Sequence, residues 1–442
     1  MSLEPIAQAL KARGEKATAI TMLEAFYRHA FHYEEYDDLA KTAFKIKEYT
    51  LAIKYGEDAL SNALTNEKMW TGRSNLINVY NHANFPEKAI RLIKANEAVM
   101  PEDTDTRLEK AFSLYLLARR DEAEAILRNE LLKVDLDEKV RTKILFNLGT
   151  YELYRDNFLY GLELFRIEGQ RMDIWKKLEL PGEFWMGQPA QGRDILVYAE
   201  AGIGDEIINV RFLKNLKDKG MNPIWFTERK DMGEIFRDSG FKVIHSLRER
   251  PADSLWTYSM TLPLYLEMDY AALWVGSYIT CNTHYVEKHS SIKKPGLNIG
   301  IRWQGNPEYD HDLHRSVGLS DVINCIPENT NLVSLQRDTG LDELEDYPQI
   351  LDMSSKMTDF RETLGIISNL DVVVTTCTSV AHAAAAMGKR TFIFVPISAY
   401  YIWSHSTKQS PWYGDNVTLL RQVKPRDWAA PMAELKQLLA EL

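Results

Sequence analysis

The sequence predicts an all-α region over residues 1–178 followed, after a linker at 179–193, by two consecutive parallel α/β domains at 194–294 and 295–442. Three observations carry that expectation. From Leu3 to about Trp175 prolines are few (Pro5, Pro86 and Pro101), and apolar residues return every three or four positions, the period of one helix face. At 180–193, LPGEFWMGQPAQGR, Pro181, Gly182, Gly187, Pro189 and Gly192 interrupt any helical pattern. Beyond that break, short β-branched or aromatic runs alternate with helical stretches, the order that builds parallel sheets.

The 442 residues leave room for about three packing units at ~150 residues each. Fifty-three Lys and Arg against 63 Asp and Glu give a net charge of −10, which lends no electrostatic support to non-specific binding of nucleic acid or anionic membranes. Hydrophobic residues at 45% and charged residues at 26% are globular values and exclude a disordered or collagen-like chain. Cys281, Cys325 and Cys377 lie far apart with no C-x-x-C spacing, so neither a disulfide framework nor a cysteine-built zinc site is expected. The N-terminus carries charges throughout and lacks the apolar core of a signal peptide. The longest membrane-span candidate, 380–395, is interrupted by His382, Lys389 and Arg390. A cytoplasmic protein without a membrane span is therefore expected.

Within the helical region a loose repeat places small residues after a polar turn: Ala17, Ala52, Ala89, Ala123 and Gly161. Their spacings of 35, 37, 34 and 38 lie close to the 34-residue period of tetratricopeptide helix pairs, in which a small side chain lets the second helix lie against the first. Trp70, Leu148, Gly149, Tyr151 and the Met100-Pro101 pair fill further places of that pattern. An irregular helical bundle is the alternative. Either form presents a surface to a polypeptide, to a neighbouring domain or to a second copy.

In the second half the expected strands are 195–199, 223–227 and 242–245, with helices at 206–219 and 231–239 between them. The pattern weakens through 250–294. A second series follows, with strands at 297–303, 331–336, 371–376 and 391–396 and helices at 358–369 and 379–387. Two such units imply facing Rossmann-like domains, whose ligands sit beyond the carboxyl ends of the strands.

Three motifs stand at such strand ends. AEAGIGDEI (199–207) follows the first strand; Gly202 and Gly204 allow a tight turn, and Asp205 falls at the start of a helix where its carboxylate can take a proton, or can simply cap the helix. The G-x-G-x-x-G dinucleotide fingerprint is incomplete, because Gly204 is followed by Asp205, Glu206 and Ile207. TTCTSVAHAAAAMG (375–388) ends a strand in hydroxyls and opens a helix near Ser379. Free N–H groups and the Thr376, Thr378 and Ser379 hydroxyls can seat a phosphate there, with His382 as a further donor; a plain cap and a semi-buried histidine are the alternative. RWQGNPEYDHDLHRS (302–316) turns at Gly305-Asn306-Pro307 into a polar loop in which Arg315 can pair with a diphosphate as a planar fork. Asp310, His311, Asp312 and His314 share that loop, but without a helical H-E-x-x-H pattern no metal site is expected.

These segments, with VSLQ (333–336) and with SPWYG followed by RDWA, resemble in this order bacterial tetratricopeptide-repeat proteins whose C-terminal half is similar to glycosyltransferase family 9, the heptosyltransferases. The layout is also similar to that of the protein O-GlcNAc transferases, helical repeats followed by a catalytic half of GT-B fold. The resemblance implies Asp205 as general base, with Gly202, Gly204 and Glu206 on the acceptor-side loop. It implies Arg315 on the donor phosphates, Gln336 in the nucleotide pocket, and Gly305, Asn306, Thr376, Thr378, Ser379 and His382 around the donor. Cys377 departs from the pattern, standing where these proteins commonly have an acid.

The resulting expectation is an inverting, metal-independent glycosyltransferase. It would use a nucleotide-diphosphate sugar, UDP being one candidate nucleotide, and no other cofactor. A saccharide, a protein side chain and a hydroxylated DNA base all offer acceptor hydroxyls. The alternative, favoured by Cys377, is a catalytically degenerate scaffold that recruits a partner through its repeats.

Overall fold

A computed structural model describes residues 2–173, 178, 180–273, 276–403 and 407–442. The expected limits of the helical region near Trp175 and of the linker at Glu179 fall outside those residues. The chain forms two compact units, one of Met1–Val134 with Pro307–His314 and Val423–Asp427, the other of Asp135–Asn306, Arg315–Gln422 and Trp428–Leu442.

The first unit is built from consecutive helices: α1 (Glu4–Ala12), α2 (Lys16–Tyr27), α3 (Tyr33–Lys45), α4 (Tyr49–Ser61), α5 (Asn66–His82), α6 (Pro86–Glu97), α7 (Thr104–Leu116) and α8 (Arg120–Leu131). Local chemistry sets their starts. The Thr65 hydroxyl accepts the Lys68 N–H ahead of α5, Asp103 accepts the Thr106 N–H ahead of α7, and Pro86 opens α6, where a missing N–H costs nothing. The turn inside each pair contains one residue with positive φ: Gly14 (79°), Lys47 (62°), Asn84 (62°) and Ala118 (59°). Asp156 (66°) continues that series in the second unit. These turns recur at 33, 37, 34 and 38 residues, so the repeat is a property of the backbone. The small contact residues agree from Ala52 onward, since Ala52, Ala89 and Ala123 are fully buried. In the first pair the buried small residue is Ala19, whereas Ala17 is exposed.

The helical period runs on into α9 (Glu138–Tyr154) and α10 (Phe158–Glu163), which belong to the second unit. Their crossing is backbone against backbone: a Cβ on Gly149 would lie 2.9 Å from the Gly161 carbonyl oxygen, and one on Gly161 would lie 2.8 Å from the Leu153 nitrogen. After α10 the chain widens into a π-helical turn, Leu164–Glu168. Leu153, Phe158, Leu162 and Phe165 then join one apolar core with the residues that cover the sheets.

Two sheets follow. The first has strand order β3-β2-β1-β4 and is parallel throughout, with β1 (Asp194–Tyr198), β2 (Asn222–Phe226), β3 (Val243–Ile244) and β4 (Leu255–Tyr258). The second has order β10-β11-β9-β8-β5-β6-β7. It is built from β5 (Asn298–Arg302), β6 (Asn331–Ser334), β7 (Leu351–Asp352), β8 (Val372–Thr376), β9 (Arg390–Val395), β10 (Gln409–Ser410) and β11 (Gly414–Arg421), and only β10 runs antiparallel. Helices cover the central strands on both faces, which is why β8 is buried along its whole length and reads as a continuous apolar run. The architecture is thus helical repeats followed by two Rossmann-like α/β domains.

The main departures from the expected elements have physical causes. β4 lies in the stretch where the sequence pattern fades, because Leu255-Trp256-Thr257-Tyr258 is too short to show a period. The helix expected over 206–219 is two helices, Ile203–Val210 and Phe212–Asp218, interrupted at the fully buried Arg211. Its guanidinium donates to the Ile208 carbonyl at 2.9 Å, to the Tyr278 hydroxyl at 2.5 Å and to the Trp412 carbonyl. Among the described residues no helix is long and apolar enough to cross a membrane.

Candidate functional site

The first sheet ends at Tyr198 in the loop 199–202, whose sharp bend is made by Ala201, at φ 59°. Gly202, at φ −94° and ψ 175°, is ordinary extended backbone at the N-cap of the helix Ile203–Val210. Asp205 stands in the first turn of that helix. One carboxylate oxygen accepts the Gly202 N–H at 3.0 Å and the other accepts the Tyr400 hydroxyl at 2.9 Å. Burial raises this carboxyl above its ordinary range, against the pull of those two hydrogen bonds and of the Arg166 charge. Asp205 is therefore at once a capping residue and a carboxylate of raised basicity.

Arg166 comes from the π-helical turn and is fully buried, as is its partner Glu200. Its Nη2 meets the two Glu200 oxygens at 2.8 and 3.0 Å, while the Met260 N–H donates to Glu200 at 3.1 Å. Glu206, next to Asp205, points the other way. It is buried and engaged by the Arg229 guanidinium and the Trp225 indole N–H.

The second sheet supplies the opposite edge. β8 ends in Thr375 and Thr376 and is followed by the helix Ser379–Ala386 with Thr378 at its N-cap. The Thr378 side chain makes no capping bond; its carbonyl accepts the Ala381 N–H at 3.0 Å, which leaves the Ser379 and Val380 N–H groups of the first turn to an anion. The Thr376 hydroxyl is buried and has no hydrogen-bond partner among the described residues. Arg315 reaches this loop, its Nη1 donating to the Cys377 carbonyl at 2.8 Å. Arg315 and the Thr376 to Ser379 segment are thus brought together.

His382 lies one turn into the helix. Its Nδ1 is 2.9 Å from the Tyr413 hydroxyl, and its ring stacks on Trp403 with centroids 5.0 Å apart and an interplanar angle of 12°. Burial first, then the Arg211 and Arg315 charges, push its pKa down to about 3, so the ring is neutral at physiological pH. The two edges meet here: the helices Ile203–Val210 and Ser379–Ala386 pack together, and a Cβ on Gly204 would lie 2.7 Å from His382 Cδ2. Gly204 serves close approach rather than the turn.

A third cluster lies past β5. The Gln336 side chain both accepts the Gln304 N–H at 3.1 Å and donates to the Gln304 carbonyl at 3.2 Å. The Gly305 N–H donates to the Ser316 hydroxyl at 3.1 Å, and Asn306 is exposed beyond it. Gln336 is spent on shaping that strand end. Among the described residues no group of three or more His, Cys, Asp or Glu converges as metal ligands.

Sequence reasoning missed Arg166, Tyr400, Trp403 and Tyr413. Arg166 sits in a helical stretch with no chemical motif, and the aromatics arrive from distant loops. Glu200 had a signal, since it shares the AEAGIGD run with Asp205.

No family profile matches the chain, and no curated protein does. Among solved structures, a mutant O-GlcNAc transferase of Thermobaculum terrenum aligns over 99% of this chain and 92% of its own, with 12% identity and a TM-score of 0.34. A family 9 glycosyl transferase of Veillonella parvula aligns over 53% and 88%, with 10% identity and a TM-score of 0.38. A thermophilic TPR protein of Thermus thermophilus aligns over 39% and 90%, with 21% identity and a TM-score of 0.30.

Proposed function

We propose that this chain is a glycosyltransferase that moves a sugar from a nucleotide-diphosphate donor to a hydroxyl acceptor with inversion. The observation that carries the reading is the pairing, at abutting strand ends, of a basicity-raised Asp205 with an uncapped helix start flanked by Arg315. On this reading 194–294 is the acceptor side and 295–442 the donor side.

The diphosphate would lie on the Ser379 and Val380 N–H groups that open the helix Ser379–Ala386, with the Arg315 guanidinium and the Thr376, Thr378 and Ser379 hydroxyls around it. The acceptor hydroxyl gives its proton to Asp205 as its oxygen bonds to the anomeric carbon. The bond from that carbon to the diphosphate breaks on the opposite face, and the electron pair leaves with the nucleoside diphosphate. Charge developing on the leaving group is met by fixed N–H dipoles and a cation, which supports a metal-independent reaction. His382 takes part as a neutral hydrogen-bonding ring. The acceptor classes are a saccharide, a protein side chain or a modified DNA base, and the setting is the cytoplasm.

A thermal-shift screen of the full chain against UDP, GDP, ADP, CMP and their sugar conjugates tests the donor site. One nucleoside diphosphate should stabilise the protein, and Arg315→Ala should weaken its binding by roughly 1.5 to 3 kcal/mol, the scale of a charged hydrogen bond. No shift with any of them would favour the scaffold reading, for which Cys377 is the supporting residue.

A further inference from the structure

The segment Pro307–His314, which leaves the end of β5, belongs to the helical-repeat unit. It is fastened there by polar attachments along its length. Lys11 Nζ meets the Glu308 carboxylate at 2.8 Å, and Lys47 Nζ meets the Asp310 carboxylate at 2.9 Å while also donating to the Glu308 carbonyl. The His311 ring stacks on His82 at 5.8 Å and 19°, edge-on to Phe112. His314 is buried, and its Nε2 faces the Asn81 and His82 carbonyls at 3.2 Å each.

Both carbonyls lie in the last turn of α5, whose acceptors lack a following helical turn; the Asn81 carbonyl also accepts the Asn84 N–H at 3.1 Å, so His314 shares it with the chain's own turn. Two acceptors on one nitrogen fix the proton of neutral His314 on Nε2. A second proton would have to enter on Nδ1, in a buried setting that already holds two other imidazoles. Among the described residues, the titratable groups that act on His314 include His82 from α5 and His311 from the segment itself, whose centroid lies 5.2 Å away. Phe112 of α7 contributes only apolar surface to this cluster.

We propose that Pro307–His314 is a proton-released strap, docked on the helical repeats while His314 is uncharged and let go when His314 takes up a proton. The sign follows from linkage. Burial, then His311 and His82, hold His314 down to about 3 when docked, whereas a free histidine titrates at 6.5. Docking is at full strength above pH 6.5 and weakens about tenfold for each pH unit below it, until the docked value is reached. Glu308 and Asp310 do not account for this range, because Lys11 and Lys47 hold both carboxyls below their ordinary values. His314 is also joined directly to Arg315, so release would free the chain just before a residue assigned above to the donor diphosphate. That consequence rests on the glycosyltransferase reading; the strap itself does not.

Hydrogen–deuterium exchange of the full chain at pH 7.5 and 5.0, corrected for intrinsic rates, tests it. Peptides covering 307–314 should lose about 30-fold in protection at pH 5.0, 1.5 units below the free value, while peptides of α7 keep theirs. His314→Gln retains a donor without a titration and should keep the strap protected at both values. If that variant fails to dock, Lys47→Met decides: a strap weakened at both pH values but with the same tenfold slope supports the proposal. Equal protection of 307–314 at both pH values in the unaltered chain, or a flat profile in Lys47→Met, overturns it.

Discussion

Two glycines in one turn of chain separate close approach from conformational freedom. Gly204 has no room for a methyl group, since its Cβ would meet the His382 ring at 2.7 Å, whereas a Cβ on Gly202 would find nothing nearer than Asp205 Oδ2 at 3.4 Å. Gly204→Ala should therefore cost about 1 to 3 kcal/mol and Gly202→Ala less than about 1 kcal/mol in urea unfolding; equal losses would remove the contact as the reason for Gly204. Asp205 makes a second case, in which function and stability pull apart. Its carboxyl is raised by burial, so the fold is disfavoured once it ionises. The stability it leaves intact is fully present below the unfolded carboxyl value and is lost as pH rises through the folded one. In urea unfolding Asp205→Asn should consequently be more stable than the parent chain above the folded carboxyl value, a gain that shrinks as pH falls and is gone once the carboxyl is neutral in both the folded and the unfolded chain. With a donor and acceptor in hand, the same variant should lower turnover by a factor of order 10² to 10⁴ with nucleoside diphosphate affinity nearly unchanged. Unchanged turnover would take Asp205 out of the mechanism and leave its capping bond as its whole role.

At the scale of elements, the π-helical turn Leu164–Glu168 is the piece that sequence periodicity could not show. Inserting a wider turn rotates Arg166 onto Glu200, just past the end of β1, and the regular three-to-four-residue period expected up to about Trp175 has no place for that rotation. Other elements were plain for physical reasons. β5, β8 and β9 are buried on both faces and read as apolar runs, and the helix at Ser379 announces itself by hydroxyls followed by alanines. β4 and β10 were hidden because two to four residues carry no period; the repeat turns were legible as polar breaks, but their left-handed backbone was not, because Lys47 and Ala118 give no sign of it. The site divides in the same way: Asp205, Thr378 and Arg315 lie in motifs, while Tyr400, Trp403 and Tyr413 reach it through tertiary packing. The Arg166–Glu200 pair can be tested as a unit. Arg166→Met strands a buried carboxylate and should cost about 3 to 5 kcal/mol, and adding Glu200→Gln should recover much of that loss. Because the Arg166 charge also holds Asp205 down, Arg166→Met should move the acid limb of any activity profile to higher pH; a limb that stays put would separate the pair from the base.

For the molecule as a whole, buried neutral histidines set how it meets acid. His382 in the α/β unit and His314 in the repeat unit are each held down to about 3, in both cases with burial as the first cause. A depressed folded pKa contributes stability that is present above the unfolded value of 6.5 and is lost as pH falls towards the folded one. Each such histidine should remove about 1.4 kcal/mol of stability per pH unit below 6.5. The carboxylates paired in the fold act in the same direction only at lower pH: Asp359 is held down by Arg361 and Asp371 by Asn298, although burial opposes both. Stability should thus begin to fall well before the ordinary carboxylate range is reached. His382→Gln keeps a polar group of similar reach towards Tyr413 but cannot titrate. Calorimetric unfolding between pH 7.5 and 4.5 should show the transition of the α/β unit falling less steeply with acid in that variant than in the parent chain. If the two slopes coincide, the ring is protonated as readily inside the fold as outside it, and its packing between Gly204 and Trp403 does not exclude charge.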